Sequence, residues 1–76
     1  MKLSEATVKA GEHYFELVEI RRNPAEISEF ITWLYGSDGK SFMLCTEDDS
    51  VLSARSIDLL VSTLKKAGFK KAKIYF

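Results

Sequence analysis

Apolar residues recur at helical spacing in two stretches of this chain and at alternate positions in others. Ile27, Phe30, Ile31 and Leu34 fall at i, i+3, i+4 and i+7, the period of one buried helix face. Asn23 suits an N-cap, Pro24 the first helical position and Glu26 the N3 position of a capping box. The spacing therefore predicts a helix over Pro24–Tyr35, stopped by Gly36 and turned through Ser37-Asp38-Gly39. The same spacing returns in Ile57, Leu60, Val61 and Leu64, which predicts a second helix from Ser53 or Ser56 to Ala67. Asp58 near its start and Lys65 and Lys66 near its end complement the helix dipole. Gly68 is placed as the left-handed residue beyond the last turn, with Phe69 positioned to close on Leu64.

Two further segments read as strands. Lys40–Thr46 is short and apolar. Lys70–Phe76 alternates, with Ala72, Ile74 and Phe76 on one side and Lys71, Lys73 and Tyr75 on the other. Strand, helix, strand with short connections is the pattern of a βαβ unit, whose parallel strands need not be adjacent.

Residues 1–22 support two readings. Leu3–Ala10 and His13–Ile20, joined by Gly11-Glu12, form a hairpin with Val8 opposite Phe15 and Ala6 opposite Leu17. Their Ala, Glu and Leu content also suits a helix ending in Arg21-Arg22. Gly11 inside that helix would cost about 1 kcal/mol, and Tyr14-Phe15 and Val18–Ile20 prefer strands, which favours the hairpin. The expected fold is α/β or α+β, an N-terminal hairpin followed by helix, strand, helix and strand. Both helices would pack on a three- or four-stranded sheet.

Seventy-six residues make one small globular domain, 1–76. A hydrophobic fraction of 46% excludes a disordered chain. Cys45 is alone, so no intrachain disulfide forms, and neither a signal-peptide apolar region nor a membrane-length apolar run is present. These features point to the cytoplasm and away from membranes. So small a core gains from self-association, so a homodimer is one expected state.

The zero net charge hides an asymmetry. Val61–Phe76 hold Lys65, Lys66, Lys70, Lys71 and Lys73 and no Asp or Glu, a charge of +5. The first sixty residues carry six basic groups against eleven acidic ones, a charge of −5. Such an imbalance bears on partners rather than on fold.

Candidate chemistry is sparse. The acidic run Glu47-Asp48-Asp49 after a strand could hold a cation, but a solvated loop whose Asp49, Ser50 or Ser53 caps the next helix accounts for it better, since no phosphate-cradling glycine loop or partner lysine accompanies it. Cys45 with His13 as its base would make a nucleophile, yet nothing in the spacing brings them together. No Cys/His spacing fits zinc. Trp33 and Leu59 fall outside the apolar stripes of their predicted helices and are candidate contact residues. Lys71, Lys73 and Tyr75, backed by Lys70 and Lys66, combine basic groups with an aromatic, the ingredients of single-stranded nucleic-acid binding. The same lysines also guard an edge strand against aggregation, and the absence of Arg among them weakens a nucleic-acid role.

The sequence thus leads to a small non-enzymatic cytosolic interaction protein, with no cofactor and no metal. It would dock a protein partner or itself through charged and apolar patches. Nucleic-acid binding through the basic C-terminal strand is the alternative, and an enzyme using Cys45–Ser50 comes third.

Overall fold

The computed structural model describes residues 1–75. In chain order it forms α1 (Leu3–Gly11), β1 (Phe15–Asn23), β2 (Glu26–Gly36), β3 (Ser41–Met43), α2 (Ile57–Ala67) and β4 (Lys73–Ile74). The four strands make one mixed sheet of order β3-β2-β1-β4, with β1 parallel to β4 and the other neighbours antiparallel. Two helices on a four-stranded mixed sheet make an α+β fold. None of the described helices is long and apolar enough to cross a membrane.

The segment 24–35, expected as a helix, is a turn at Pro24-Ala25 followed by the strand Glu26–Gly36. Phe30, Ile31, Thr32, Trp33 and Tyr35 are all β-branched or aromatic, residues that pack well on a pleated surface and lose side-chain freedom in a helix. Asn23 is not a helix cap. Its Oδ1 accepts the Ala25 N–H at 2.9 Å, so Asn23-Pro24 opens the hairpin turn between β1 and β2. The register then skips from Arg22↔Phe30 to Asn23↔Glu26. Ile27, the first residue of the supposed apolar stripe, lies in that bulge and is 75% exposed.

The expected hairpin of Leu3–Ala10 with His13–Ile20 is also corrected. Its first arm is α1, with Ala6 fully buried, and only its second arm becomes a strand. Gly11 is no turn residue. The left-handed position falls on His13 (φ 58°), whose N–H bonds to the Ala10 carbonyl while the Tyr14 N–H bonds to that of Lys9, both at 3.1 Å. A helix continuing to Arg21-Arg22 is excluded by the same stop.

α2 has the expected stop. Gly68 is left-handed (φ 101°), the Phe69 N–H reaches the Leu64 carbonyl at 3.0 Å, and the Gly68 N–H that of Lys65 at 3.1 Å. The final strand is shorter than expected, Lys73–Ile74, and Phe76 lies outside the described residues. α2 joins β3 at one edge of the sheet to β4 at the other, with β2 and β1 between them. Through these pairings β3 and β4 run parallel to each other, as opposite edges of the sheet and not as a hydrogen-bonded pair.

Alternation along the strands sorts residues onto two faces. Val18 and Ile20 of β1 and Phe30 and Leu34 of β2 turn toward the helices, where Ala6, Leu60 and Leu64 complete one core cluster with Leu44 and Ala54. Thr32 lies on this face opposite Ile20, its hydroxyl buried with no hydrogen-bond partner. An extra residue, Glu16, between the pairs Phe15↔Gly36 and Leu17↔Tyr35 brings Phe15 to the helix side, its ring 5.4 Å from that of Phe69.

Candidate functional site

The other face of the sheet carries no helix. Strand alternation sets Leu17, Glu19 and Arg21 of β1 there, beside Ile31, Trp33 and Tyr35 of β2, Met43 of β3, and Lys73 of β4. Trp33 is central, paired with Glu19 on one side and Met43 on the other. Ile31 is only 2% exposed yet stands outside the helix-side cluster. This face therefore has an apolar layer of its own, sealed by the larger side chains around it.

Inside that layer sits a carboxylate. Glu19 is 5% exposed and its Oε1 collects three contacts: Arg21 Nε donates at 2.8 Å, Arg21 Nη2 lies at 2.7 Å, and the Tyr35 phenol donates at 2.9 Å. Burial by itself pushes the Glu19 carboxyl upward. Hydrogen bonds from Arg21 and Tyr35 and the Arg21 charge outweigh burial and hold it below its ordinary range. The Tyr35 phenol is correspondingly raised, chiefly by its bond to Glu19, and burial adds to the effect. The Arg21 guanidinium lies 4.9 Å from the Tyr75 ring centroid, a cation–π stack. The result is a preorganised patch of Glu19, Arg21, Tyr35 and Tyr75 around Trp33.

Of the residues singled out in the sequence, the fold brings Trp33, Lys73 and Tyr75 together here. Lys73 stands beside Glu19 in the parallel register, and Tyr75 follows with its N–H on the Ile20 carbonyl at 2.8 Å. Lys70 and Lys71 lie in the connection before β4, and Lys66 near the end of α2. Leu59 is 58% exposed on α2, which packs on the opposite face, and does not join the patch. Sequence reasoning missed Glu19, Arg21 and Tyr35. The signal was there in Leu17, Glu19 and Arg21 at alternate positions, since a Glu and an Arg two apart in a strand share a face.

The acidic loop is engaged elsewhere. Glu47 accepts the Ser4 N–H at 2.9 Å and the Ser4 hydroxyl at 2.5 Å, capping the start of α1 from across the chain. Asp48 accepts from the Thr46 hydroxyl and the Ser50 N–H within its own turn, and Asp49 lies 3.8 Å from Lys2. The loop thus caps the first helix, not the second. No group of three metal-ligating side chains occurs among the described residues. Cys45 is half-buried, its N–H bonded to the Met1 carbonyl at 2.7 Å and its thiol near the Met43 carbonyl at 3.4 Å. His13 is set at the end of α1.

The sheet order also turns the charge asymmetry of the sequence into a spatial one. The lysines of 70–73 follow the β4 edge, whereas Glu47–Asp49 follow β3 at the opposite edge. Comparison with known proteins finds no family model, no curated protein and no solved structure that matches this chain.

Proposed function

We propose that this chain is a non-enzymatic interaction module that docks a protein partner on the helix-free face of its sheet. The observation that carries the reading is the Glu19–Arg21–Tyr35–Tyr75 patch around Trp33. Trp, Tyr and Arg supply most of the binding energy of protein interfaces when they are held rigid and desolvated. Here Arg21, Tyr35 and Tyr75 are held in advance by their contacts with Glu19 and one another, which lowers the entropy lost on docking. Lys73 and the lysines before it favour a partner with an apolar contact surface and acidic groups at its border. Self-association through the same face is the related outcome.

Nucleic-acid binding is the second reading, favoured by Tyr75 lying beside Lys73 at the basic edge. Two features count against it. Arg21 covers one face of the Tyr75 ring, and its charge is committed to Glu19. Stacking a base there would require breaking that arrangement.

The test compares Trp33→Ala and Tyr75→Ala with Leu59→Ala, each checked for native circular dichroism. The expected result is a protein partner, or a second copy in sedimentation, retained by the Leu59 variant and lost by the other two after nuclease treatment. Loss that follows Leu59 instead, or binding abolished by nuclease, would overturn the reading.

A further inference from the structure

A cleft opens where β4 parts from β1. The two strands pair only at Glu19 and Ile20, so Phe15–Val18 of β1 face the connection Gly68–Ala72 across a space of about 480 Å³. Its wall is apolar, built from Phe15, Val18 and the ring of Phe69. Its rim is basic. Lys70, Lys71 and Lys73 all border it, all are exposed, and among the described residues none of them is in an ion pair. Pockets that take small organic ligands run from about 300 to 1,000 Å³ and combine an apolar lining with a few converging polar groups.

We infer that this cleft binds a small amphipathic organic anion, a carboxylate or sulfonate on a short aliphatic or aromatic body. The body lies against Phe15, Val18 and Phe69, and the charged group sits among the three lysines. Charge selects the sign. Among the described residues Glu16 is the one carboxylate at the opening, against three ammonium groups. Both helices also end here, through His13 after α1 and Gly68 after α2, and a helix C-terminus disfavours anions by about half a charge. The capping bonds to the last carbonyls of each helix already occupy part of that negative potential. The balance at the rim stays positive. Lysine, a compact point charge, suits a single anionic group where no fork of donors is required. The cleft shares Leu17 and Lys73 with the docking face, but its apolar wall of Phe15, Val18 and Phe69 lies apart from Trp33 and Tyr75, so the two readings fail separately.

The test titrates octanoate, octylammonium and acetate separately into the isotope-labelled protein and follows backbone amide shifts. The expected result is saturable octanoate binding with shifts concentrated at Phe15–Val18 and Gly68–Lys73. Octylammonium should bind about tenfold more weakly and acetate should not saturate, because both charge and apolar body contribute. Lys70→Glu with Lys71→Glu should weaken octanoate about tenfold, while Lys65→Glu with Lys66→Glu, the same change in net charge away from the cleft, should leave it unaltered. Equal affinity for octanoate and octylammonium, equal loss in both charge reversals, shifts centred elsewhere, or no saturation would each overturn the inference.

Discussion

In β2, Ile27, Phe30, Ile31 and Leu34 recur at the same offsets as Ile57, Leu60, Val61 and Leu64 in α2. The residues around them are alike in polarity and differ in shape. The α2 intervals hold Asp58, Ser62 and Thr63, with Leu59 the one apolar residue, so its stripe is one-sided and only a helix buries it. The β2 intervals hold Ser28, Glu29 and Thr32, with Trp33 the one apolar residue, but from Phe30 to Tyr35 every residue except Leu34 is β-branched or aromatic. A strand covered on both faces reads as a near-continuous apolar run, and any such run contains a helical period by chance. The lesson is that a helical period carries little weight where the run that holds it is built of β-branched and aromatic residues.

The largest effects should come from breaking the two stripes one residue at a time. In urea melts, Leu34→Ala and Leu60→Ala are expected to cost about 3 kcal/mol each, and Ile31→Ala about 2 kcal/mol despite facing away from the helices. Ile27→Ala and Leu59→Ala should stay within about 0.5 kcal/mol. A helical 24–35 would make Ile27 as costly as Leu34, so a large Ile27 effect would reverse the assignment of β2.

Gly36 sharpens the comparison at the end of β2. A Cβ there would fall within the Tyr14 ring, 2.4 Å from its Cζ and Oη. Gly36→Ala should therefore cost about 1–3 kcal/mol, where a helix stop would need only a left-handed residue. Tyr14 donates to Asp38 at 2.7 Å, and that bond, with a smaller part from burial, pushes its phenol up to about 12. A raised phenol contributes stability that is complete below the ordinary tyrosine range and is lost as pH climbs through the folded value. Displacing the ring should return the phenol toward its ordinary value in an ultraviolet titration and shrink that alkaline loss.

Thr32 tests the strand alternation from inside. Its unpartnered hydroxyl faces Ile20 in the helix-side core, so Thr32→Val is expected to raise stability by about 1 kcal/mol in the same melts. A loss would mean that the hydroxyl has a partner after all.

The smallest effect is expected at Glu47. Neither Lys2 before α1 nor Ser56 before α2 makes a side-chain cap, and α1 receives one from Glu47 instead. Hydrogen bonds from Ser4 hold the Glu47 carboxyl below its usual range. That contribution is present above the ordinary carboxylate range and disappears as pH falls through the lower folded value. Glu47→Ala should lower the urea midpoint slightly at neutral pH and remove part of the acid dependence, with little change at low pH.

α2 and its stop were legible from sequence because Ile57–Phe69 carries every signal within a few residues: stripe, dipole charges, left-handed glycine and closing Phe69. The equivalent stop of α1 was hidden, because His13 takes the left-handed position while Gly11 two residues earlier attracts the turn assignment. The patch around Trp33 was legible in part. Trp33, Lys73 and Tyr75 stood out by type, Glu19 and Arg21 only by their alternation along one strand, and Tyr35 became visible only once β1 and β2 were paired in register.

By itself, then, the sequence determined a mixed helix-and-strand fold, the second helix with its C-terminal stop, strands within 40–46 and 70–76 of which the structure keeps 41–43 and 73–74, and a basic end opposed to an acidic body. These depend on local geometry or on composition, which neighbouring residues settle alone. Tertiary structure decided that 26–36 pairs as a central strand, that Leu3–Gly11 coils, and that Glu47 caps a helix more than forty residues away. It also decided that Glu19 is buried beneath Arg21 and tyrosines. Each of those outcomes depends on partners distant in the chain, and a central strand gains its hydrogen bonds and its burial only when both neighbours are in place.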